Sequence, residues 1–308
     1  MKSQSERPRR FLLTGAGGLV GKELIDFFHG ESGIAIIPLA HADCDITDAD
    51  AVKHIFARIN PDGVINCAVI LNVDQCEAEP KKCFAVNRDG VRNLLDACAD
   101  LLHPVTFVQV SSSEVFGRVH EGEYVVNGYR EDDEPRPASA YQKSKREAEI
   151  LLEGFAAEHP EAHDRWYICR GGWLYGAGRS TFVEQFLEKL QRKEEIKAVR
   201  DQWRSPTWTK HFTHGLITLL AGNYPSGVYH SVNEVKPGEA TTLDVIDEIR
   251  TYLGERCANP PLALVSRDEL FKVPRAPSNV LLNTKLPKLP YWKDALWEYL
   301  MTHHPLLS

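Results

Sequence analysis

The chain has 308 residues, 43% of them hydrophobic and 26% charged, which is ordinary for a globular protein with a large buried core. Its net charge of −7 excludes the basic excess that draws proteins to nucleic acid. The length predicts two domains, or one α/β domain with a substantial appendage.

Neither a secretory signal nor a membrane span is predicted at the start of the chain. The segment MKSQSERPRR is charged, and the apolar run after it is short and rich in glycine. The seven cysteines are scattered without a Cys-x-x-Cys pair, which predicts free thiols in a reducing cytoplasm. Because His211 and His214 are three positions apart with no third ligand nearby, no metal site is expected.

Apolar runs alternate with helical patterns through the first half of the chain. The runs predict strands over 10–15, 33–40, 62–69, 105–112 and 165–172. The helical patterns predict helices over 19–30, over 47–59 with Thr47 as N-cap, over 80–102 with Pro80 in the first turn, and around Tyr141. Strands that alternate with helices predict an α/β fold of the Rossmann type, a doubly wound parallel sheet covered on both faces.

After about residue 170, prolines and loops become denser, which predicts a smaller and less regular lobe. The segment SGVYHSVN, 226–233, is predicted to be a strand that returns to the main sheet. The predicted nucleotide-binding domain is therefore 1–171 with a returning segment near 208–233, and the predicted substrate-binding lobe is 172–207 with 234–308. A polar loop over 118–137 is predicted beside the strand ends.

A glycine-rich turn, TGAGGLVG, lies between the first predicted strand and the first predicted helix. Glycines every third position allow a tight turn and a close approach of backbone to a pyrophosphate, and the helix N-terminus adds free N–H groups. The predicted dinucleotide-binding turn comprises Gly15, Gly17, Gly18, Leu19, Val20 and Gly21.

The segment AYQKSKREAE places Tyr141 and Lys145 four positions apart on one predicted helix, so both side chains lie on the same face. A phenol is a poor acid or base at neutral pH unless a nearby cation lowers its pKa, and Lys145 could supply that field. The remaining charges, Arg146, Glu147 and Glu149, are expected to be solvated.

The chain resembles the extended short-chain dehydrogenase/reductase family in its motifs and in their order. Four segments each resemble a family motif: the glycine-rich turn, NCA at 66–68, SSSEVFG at 111–117 and RGGWLYG at 170–176. The resemblance covers nearly the whole chain and implies an NAD(P) cofactor. Its implied contacts, beyond the glycine turn, are Asp45, Ile46, Cys67, Ala68, Asn87, Tyr141 and Lys145.

The resemblance also implies a catalytic set. Ser112 would steady the carbonyl, Tyr141 would donate the proton, and Lys145 would hold the nicotinamide ribose. Ser111 and Ser113 are alternatives to Ser112 if the register differs. Gln142 stands where the family usually has glycine, a departure that removes no catalytic group.

The choice between NADP and NAD rests on the segment AHADCD after the second strand. The segment has no acid at the strand tip to hold a ribose 2′-hydroxyl, and no arginine for a 2′-phosphate. His41 could meet a 2′-phosphate, which favours NADP, while NAD stays open.

Within the family, the chain resembles dTDP-4-dehydrorhamnose reductases in GYREDDEPRPASAYQKSK, AVRDQWRSPTWT and VLLNTKL. The resemblance implies a 4-keto sugar substrate, nucleotide-linked, whose ring would pack on the indole of Trp173. The implied substrate residues are Ser113, Glu114, Trp173, Gln202 and Pro206. Two departures lie near the substrate: SSSEVF replaces S-T-D-Y-V-F, and the family's Arg-Pro becomes Ala276-Pro277, with Arg275 displaced by one.

Two alternatives stay open. The Ser-Ser-Glu segment ending at Glu114 also resembles nucleotide-sugar dehydratases, epimerases and decarboxylases, in which the glutamate can act as a base. A non-catalytic NADP-binding role, like that of the regulatory β subunit of methionine adenosyltransferase, is the second. The intact set of Ser112, Tyr141 and Lys145 argues against it. The resemblance leaves a homodimer open.

Overall fold

The structure, a computed structural model, describes residues 7–30, 33–117 and 127–305. The first nine residues of the polar loop predicted over 118–137 lie outside the described residues. Between 127 and 137 the chain forms turns and a single bridge from Tyr129 to Leu281.

A six-stranded parallel sheet forms the centre of the molecule, in the order β2-β1-β3-β4-β5-β9. Two separate parallel pairs, β6 with β8 and β7 with β10, lie outside it. The strands are β1 Arg9–Thr14, β2 Ile34–Leu39, β3 Gly63–Asn66, β4 Val105–Ser112, β5 His163–Gly171, β6 Trp173–Tyr175, β7 Ile196–Val199, β8 Pro206–Trp208, β9 Gly227–His230 and β10 Leu262–Val265.

Eleven α-helices connect these strands within the described ranges. They are α1 Leu19–Phe28, α2 Ala49–Ile59, α3 Val73–Ala78, α4 Pro80–Phe84, α5 Gly90–Ala99, α6 Ala140–Glu158, α7 Phe182–Arg192, α8 Thr209–Ala221, α9 Thr242–Leu253, α10 Arg267–Leu270 and α11 Trp292–His303. None of the helices in the described part of the chain is both long and apolar enough to cross a membrane.

Alternate residues of the central strands point to opposite faces, and each face carries its own core. Leu12 of β1 packs in a cluster with α2, α5 and α6, whereas Phe11 and Leu13 pack in a second cluster with α1 and α8. The sheet is therefore covered on both faces, and the predicted doubly wound α/β fold is confirmed.

Two predicted helix details were wrong. The N-cap of α2 is Asp48, whose carboxylate accepts the N–H groups of Asp50 and Ala51, while the Thr47 hydroxyl donates to Asp45. The helix predicted over 80–102 is instead α4 and α5 joined by one π-helical turn, Ala85–Asp89. A π turn adds one residue to the repeat, and such turns are frequent at functional sites.

The C-terminal part of the chain builds a third core from α7, α9, α11 and the short strands. Its largest fully buried side chains are Trp292, Tyr175 and Tyr299. β9 returns to the main sheet beside β5, close to the strand predicted over 226–233.

Candidate active site

A cavity of about 920 Å³ opens at the carboxyl ends of the central strands. Here β1 lies between β2 and β3, so the strand order reverses at this point, which is where doubly wound sheets bind ligands. Fifteen of the predicted site residues line the cavity: Gly15, Gly17, Gly18, Leu19, Val20, Gly21, His41, Cys67, Ala68, Ser112, Ser113, Glu114, Tyr141, Lys145 and Trp173.

The glycine turn has the geometry that a dinucleotide requires. Gly15 has a φ of +66°, and a Cβ there would lie 2.6 Å from the backbone of Cys67. A Cβ on Gly21 would lie 2.6 Å from the Gly15 carbonyl oxygen, whereas one on Gly17 would meet no described atom within 4 Å. The turn thus packs tightly inward and leaves its backbone open towards the cavity, so these residues could hold a pyrophosphate.

Tyr141 and Lys145 lie on the buried face of α6, with exposed fractions of 4% and 3%. The Ser112 side chain, at the end of β4, interacts with the Tyr141 hydroxyl. The Lys145 ammonium donates to the Val110 carbonyl oxygen at 2.8 Å. Strand β4 and helix α6 therefore hold the three predicted catalytic side chains on one wall of the cavity.

The environment moves the pKa of these groups in opposite senses. Burial, with the charge of Glu114, raises the pKa of Tyr141, and the hydrogen bond with Ser112 opposes that rise. Burial lowers the pKa of Lys145 to about 8, and the charge of Glu149 opposes that fall. Tyr141 therefore holds its proton at neutral pH, which suits a donor, and the expected lowering of its pKa by Lys145 is not the dominant effect in this structure.

Glu149 is fully buried, so its predicted solvation was wrong. Its carboxylate accepts from Arg170 at 2.8 and 2.9 Å, from Ser111 at 2.6 Å and from Arg146 at 3.2 Å. The reason is helical spacing: Glu149 stands one turn beyond Lys145 and shares its inward face. Arg170 and its neighbours lower the pKa of Glu149 against the effect of burial, so a buried ion pair lies behind Lys145.

Glu114 is held by two side-chain amides. Gln142 donates to one carboxylate oxygen at 2.9 Å, and Asn279 donates to the other at 2.8 Å. The Gln142 amide oxygen also accepts from the Ser139 N–H at 3.1 Å and completes a capping box at the start of α6. Gln142, where the family has glycine, thus links the first turn of α6 to the carboxylate of Glu114.

Five predicted cofactor or substrate residues lie in the fold around the cavity rather than in its lining: Asn87, Gln202, Ile46, Pro206 and Asp45. Asn87, in the π turn, accepts from the Ile70 N–H at 2.8 Å and donates to the Ser144 hydroxyl at 3.1 Å. Because that hydroxyl donates to the Tyr141 carbonyl oxygen, Asn87 supports the helix that carries Tyr141. Gln202 donates to Ala276, as a buried link between loops.

The other three residues outside the lining are Ile46, Pro206 and Asp45. Ile46 is buried and packs on Gly90, where a Cβ would lie 2.6 Å from it. Pro206 pairs with Trp173 in the β6–β8 ladder. Asp45 is half-buried and accepts from Thr47, with its carboxylate 4.0 Å from the ring of His41.

The indole of Trp173 is stacked on both faces. The Phe182 ring lies 3.5 Å from it between centroids at 16°, and the Arg204 guanidinium lies over it at 4.6 Å. The predicted packing of a sugar ring on the indole face therefore does not fit this arrangement. Sequence reasoning missed Arg204 and Phe182 in the cavity lining, together with Arg179, Phe271 and Asn279. Arg204 stands two positions after Gln202 in a segment that the resemblance had already marked.

A doubly wound parallel sheet with a glycine turn at its switch point defines a Rossmann fold of the short-chain dehydrogenase/reductase type. The family model described as the RmlD substrate binding domain matches residues 9–304, and the chain belongs to that family. The predicted kinship with dTDP-4-dehydrorhamnose reductases, and with it the prediction of an oxidoreductase, is confirmed at the level of the family.

Individual relatives agree. The chain is 32% identical over 300 residues to the spore coat polysaccharide biosynthesis protein SpsK of Bacillus subtilis, covering 94% of this chain and 96% of that protein. It is 36% identical over 239 residues to a dTDP-4-dehydrorhamnose reductase of Streptomyces griseus, covering 74% and 72%.

Solved structures give the same result. A dTDP-4-dehydrorhamnose reductase from Clostridium acetobutylicum has a TM-score of 0.81 at 29% identity, covering 96% of this chain and 99% of that one. The Bacillus anthracis enzyme of the same name, in complex with NADP, has a TM-score of 0.80 at 26% identity, covering 96% and 99%. A nicotinamide dinucleotide is thus the cofactor class of this fold.

Proposed function

We propose that the chain is an NAD(P)H-dependent reductase of the ketone of a nucleotide-linked 4-keto sugar, with dTDP-4-dehydrorhamnose as the first substrate to test. The observation that carries the proposal is one cavity lined by the glycine turn and by Ser112, Tyr141 and Lys145. The names of relatives that match at 29–36% identity support the sugar class.

In this proposal the residues of the cavity divide the reaction between them. The Tyr141 phenol gives its proton to the carbonyl oxygen of the substrate, and the Ser112 hydroxyl donates a hydrogen bond to the same oxygen. The Lys145 ammonium binds the nicotinamide ribose and keeps a positive charge near Tyr141. The glycine turn, Cys67 and Ala68 hold the dinucleotide. The reduced nicotinamide, when bound, supplies the hydride for the carbonyl carbon.

The proposed cofactor is NADP. His41 lines the cavity beyond β2, and its exposed side chain could meet a 2′-phosphate. Dissociation constants for NADPH and NADH, measured on wild type and on His41→Ala, test this preference. A loss of affinity for NADPH alone supports it, and tighter binding of NADH by wild type contradicts it.

The dehydratase alternative depends on Glu114 acting as a base. Both carboxylate oxygens of Glu114 already accept a hydrogen bond from an amide, from Gln142 and from Asn279, which favours a fixed, positioning role. A dehydratase would recycle its bound cofactor, whereas a reductase consumes one reduced cofactor for each product. A binding subunit of the methionine adenosyltransferase type would do neither.

The deciding experiment incubates the pure protein with NADPH or NADH and a panel of nucleotide-linked 4-keto sugars. We expect absorbance at the reduced-nicotinamide band to fall in proportion to the alcohol formed. A parallel incubation uses oxidised cofactor and nucleotide-linked sugars with a free 4-hydroxyl; elimination of water there without net change of the cofactor would replace the reductase with the dehydratase. We further propose a cytoplasmic location, because the seven cysteines are all free and five of them are buried.

A further inference from the structure

Strand β4 holds Lys145 and Glu149 through two adjacent residues. The Lys145 ammonium donates to the Val110 carbonyl oxygen at 2.8 Å, and the Ser111 hydroxyl donates to the Glu149 carboxylate at 2.6 Å. Residues four apart share a helix face, so Glu149 lies one turn beyond Lys145 in the same buried row of α6. Lys145 lines the cavity, whereas Glu149 lies behind it. Glu149 is therefore placed to act on the reaction through Lys145 and not by contact with a ligand.

The fully buried Glu149 carboxylate keeps its charge through ion pairs. Arg170, 1% exposed, donates to both carboxylate oxygens, from Nε at 2.9 Å and from a terminal nitrogen at 2.8 Å. Arg146 donates to one of the same oxygens at 3.2 Å. Burial raises the pKa of Glu149, but Arg170, Ser111 and Arg146 together lower it below its ordinary value. An anion is thus fixed one helical turn behind Lys145.

The groups on the far side of Arg170 leave this ion pair intact. The Nε2 atom of His230 lies 3.5 Å from a terminal nitrogen of Arg170. Burial and the charge of Arg170 hold the pKa of His230 well below its ordinary value, so the ring is neutral at neutral pH. Glu131, beyond His230, accepts from the Thr284 N–H at 3.0 Å and from the Thr284 hydroxyl. The buried cation of Arg170 therefore has the Glu149 carboxylate as its anion.

The ionisable groups whose charge acts on Lys145 are Glu149 and the thiols of Cys67 and Cys83. Burial lowers the pKa of Lys145 to about 8, and the charge of Glu149 is the largest effect that opposes this fall. Burial also raises the pKa of Cys67 to about 12 and that of Tyr141, one turn before Lys145, above its ordinary value. Both of these groups are therefore protonated at neutral pH, and Glu149 is the anion that favours the ammonium.

We propose that Glu149 is a positioning residue that keeps Lys145 positively charged for the nicotinamide ribose, and that Arg146 limits its effect. The proposal rests on the proposed function, because that function assigns the ribose to Lys145. Arg170 fixes the carboxylate in place with two hydrogen bonds. Arg146, whose side chain is 15% exposed, neutralises part of the negative field that reaches Lys145. Loss of Glu149 and loss of Arg146 should therefore change the protonation of Lys145 in opposite directions.

The pH dependence of the dissociation constant for NADPH tests this role without any substrate. In the wild type we expect the affinity to fall by about tenfold as the pH rises through the pKa of Lys145, because a charge-assisted hydrogen bond to the ribose is lost. Lys145→Met should lack that fall, which assigns it to Lys145, since all other titrating groups are common to both proteins. Glu149→Gln should move the fall to lower pH by about one unit, because an attractive charge is removed. Arg146→Gln should move it to higher pH by a smaller amount.

Glu147→Gln is the matched control on the same helix. Its side chain is 42% exposed and pairs with Arg88 at 2.9 Å, so the same change in charge should leave the profile unchanged. Glu149→Gln also leaves the buried Arg170 without its anion, which costs stability. If that variant does not fold, Arg146→Gln decides, because its partly exposed side chain can be removed with less damage.

A Glu149→Gln profile that is not shifted to lower pH overturns the proposal, as does a wild-type profile without a fall that depends on Lys145. Where Arg146→Gln decides, a profile that is not shifted to higher pH overturns it. These outcomes stay distinct from those of the reductase. Shifted profiles without consumption of reduced cofactor on the sugar panel would leave the role of Glu149 standing and remove the proposed activity. Reductase turnover together with profiles that do not respond to Glu149 would do the reverse.

Discussion

Lys145 should destabilise the folded protein, and its replacement by methionine should show this directly. The ammonium is 3% exposed, and burial lowers its pKa from 10.5 to about 8. At about 1.4 kcal/mol per pKa unit, that fall corresponds to about 3 kcal/mol of unfavourable free energy for the charged form at neutral pH.

Methionine keeps the length and the apolar contacts of the side chain but removes the charge. It also removes the hydrogen bond to the Val110 carbonyl, worth about 1 kcal/mol. We therefore expect Lys145→Met to raise the free energy of unfolding at pH 7 by about 2 kcal/mol, while turnover falls severely. Such a gain in stability with a loss of activity is typical when a functional group is buried in an environment that disfavours its charge.

The pH dependence has a defined sign. The folded pKa of Lys145 lies below the unfolded one, so between about pH 8 and 10.5 the unfolded chain binds more protons. Stability of the wild type should rise across that window through this group, and in Lys145→Met this contribution should vanish.

Urea denaturation at pH 7 and pH 9.5 measures both effects. Lys143→Met, at an exposed position of the same helix, is the control and should change little. A Lys145→Met protein that is no more stable than wild type at pH 7 would refute this reasoning.

Three further predictions follow from the packing of the site. Gly21→Ala should lower Tm by several degrees, because the new Cβ would lie 2.6 Å from a carbonyl oxygen, whereas Gly17→Ala, with open space around it, should melt like wild type. Gln142→Ala should cost about 1 kcal/mol in chemical denaturation through loss of the capping box. Gln142→Glu should cost more, because its carboxylate would face that of Glu114, which now accepts from the Gln142 amide at 2.9 Å. Glu114→Gln should retain reductase turnover within about tenfold, since the group is held as a hydrogen-bond acceptor; complete loss of turnover would instead support the dehydratase.

Much of the fold could be read from local patterns. The central strands are buried on both faces, so their apolar runs are nearly continuous, and the helices between them carry the helical period. The glycine turn could be predicted because its glycines have a short, regular spacing, and the tight packing of Gly21 on Gly15 lies within the turn itself. Tyr141 and Lys145 share a helix face, which their separation of four positions predicts without further information.

What could not be predicted depends on contacts between distant segments. Arg204 contacts Trp173, which is 31 positions earlier in the sequence, and Asn279 donates to Glu114, which is 165 positions earlier. The burial of Glu149 could not be predicted because its partner, Arg170, lies on a different element. A helix segment with charges of both signs usually indicates a solvated face. The π turn around Asn87 departs from the helical period without a local breaker.

The central claim is that Tyr141 donates the proton in ketone reduction. Replacing it with phenylalanine keeps the ring and removes only the hydroxyl. The measurement is turnover of NADPH with a nucleotide-linked 4-keto sugar, beside the dissociation constant for NADP, in wild type and Tyr141→Phe. The account predicts an affinity within about twofold and a turnover lower by about 10²- to 10⁴-fold. Near-normal turnover in the variant would contradict it.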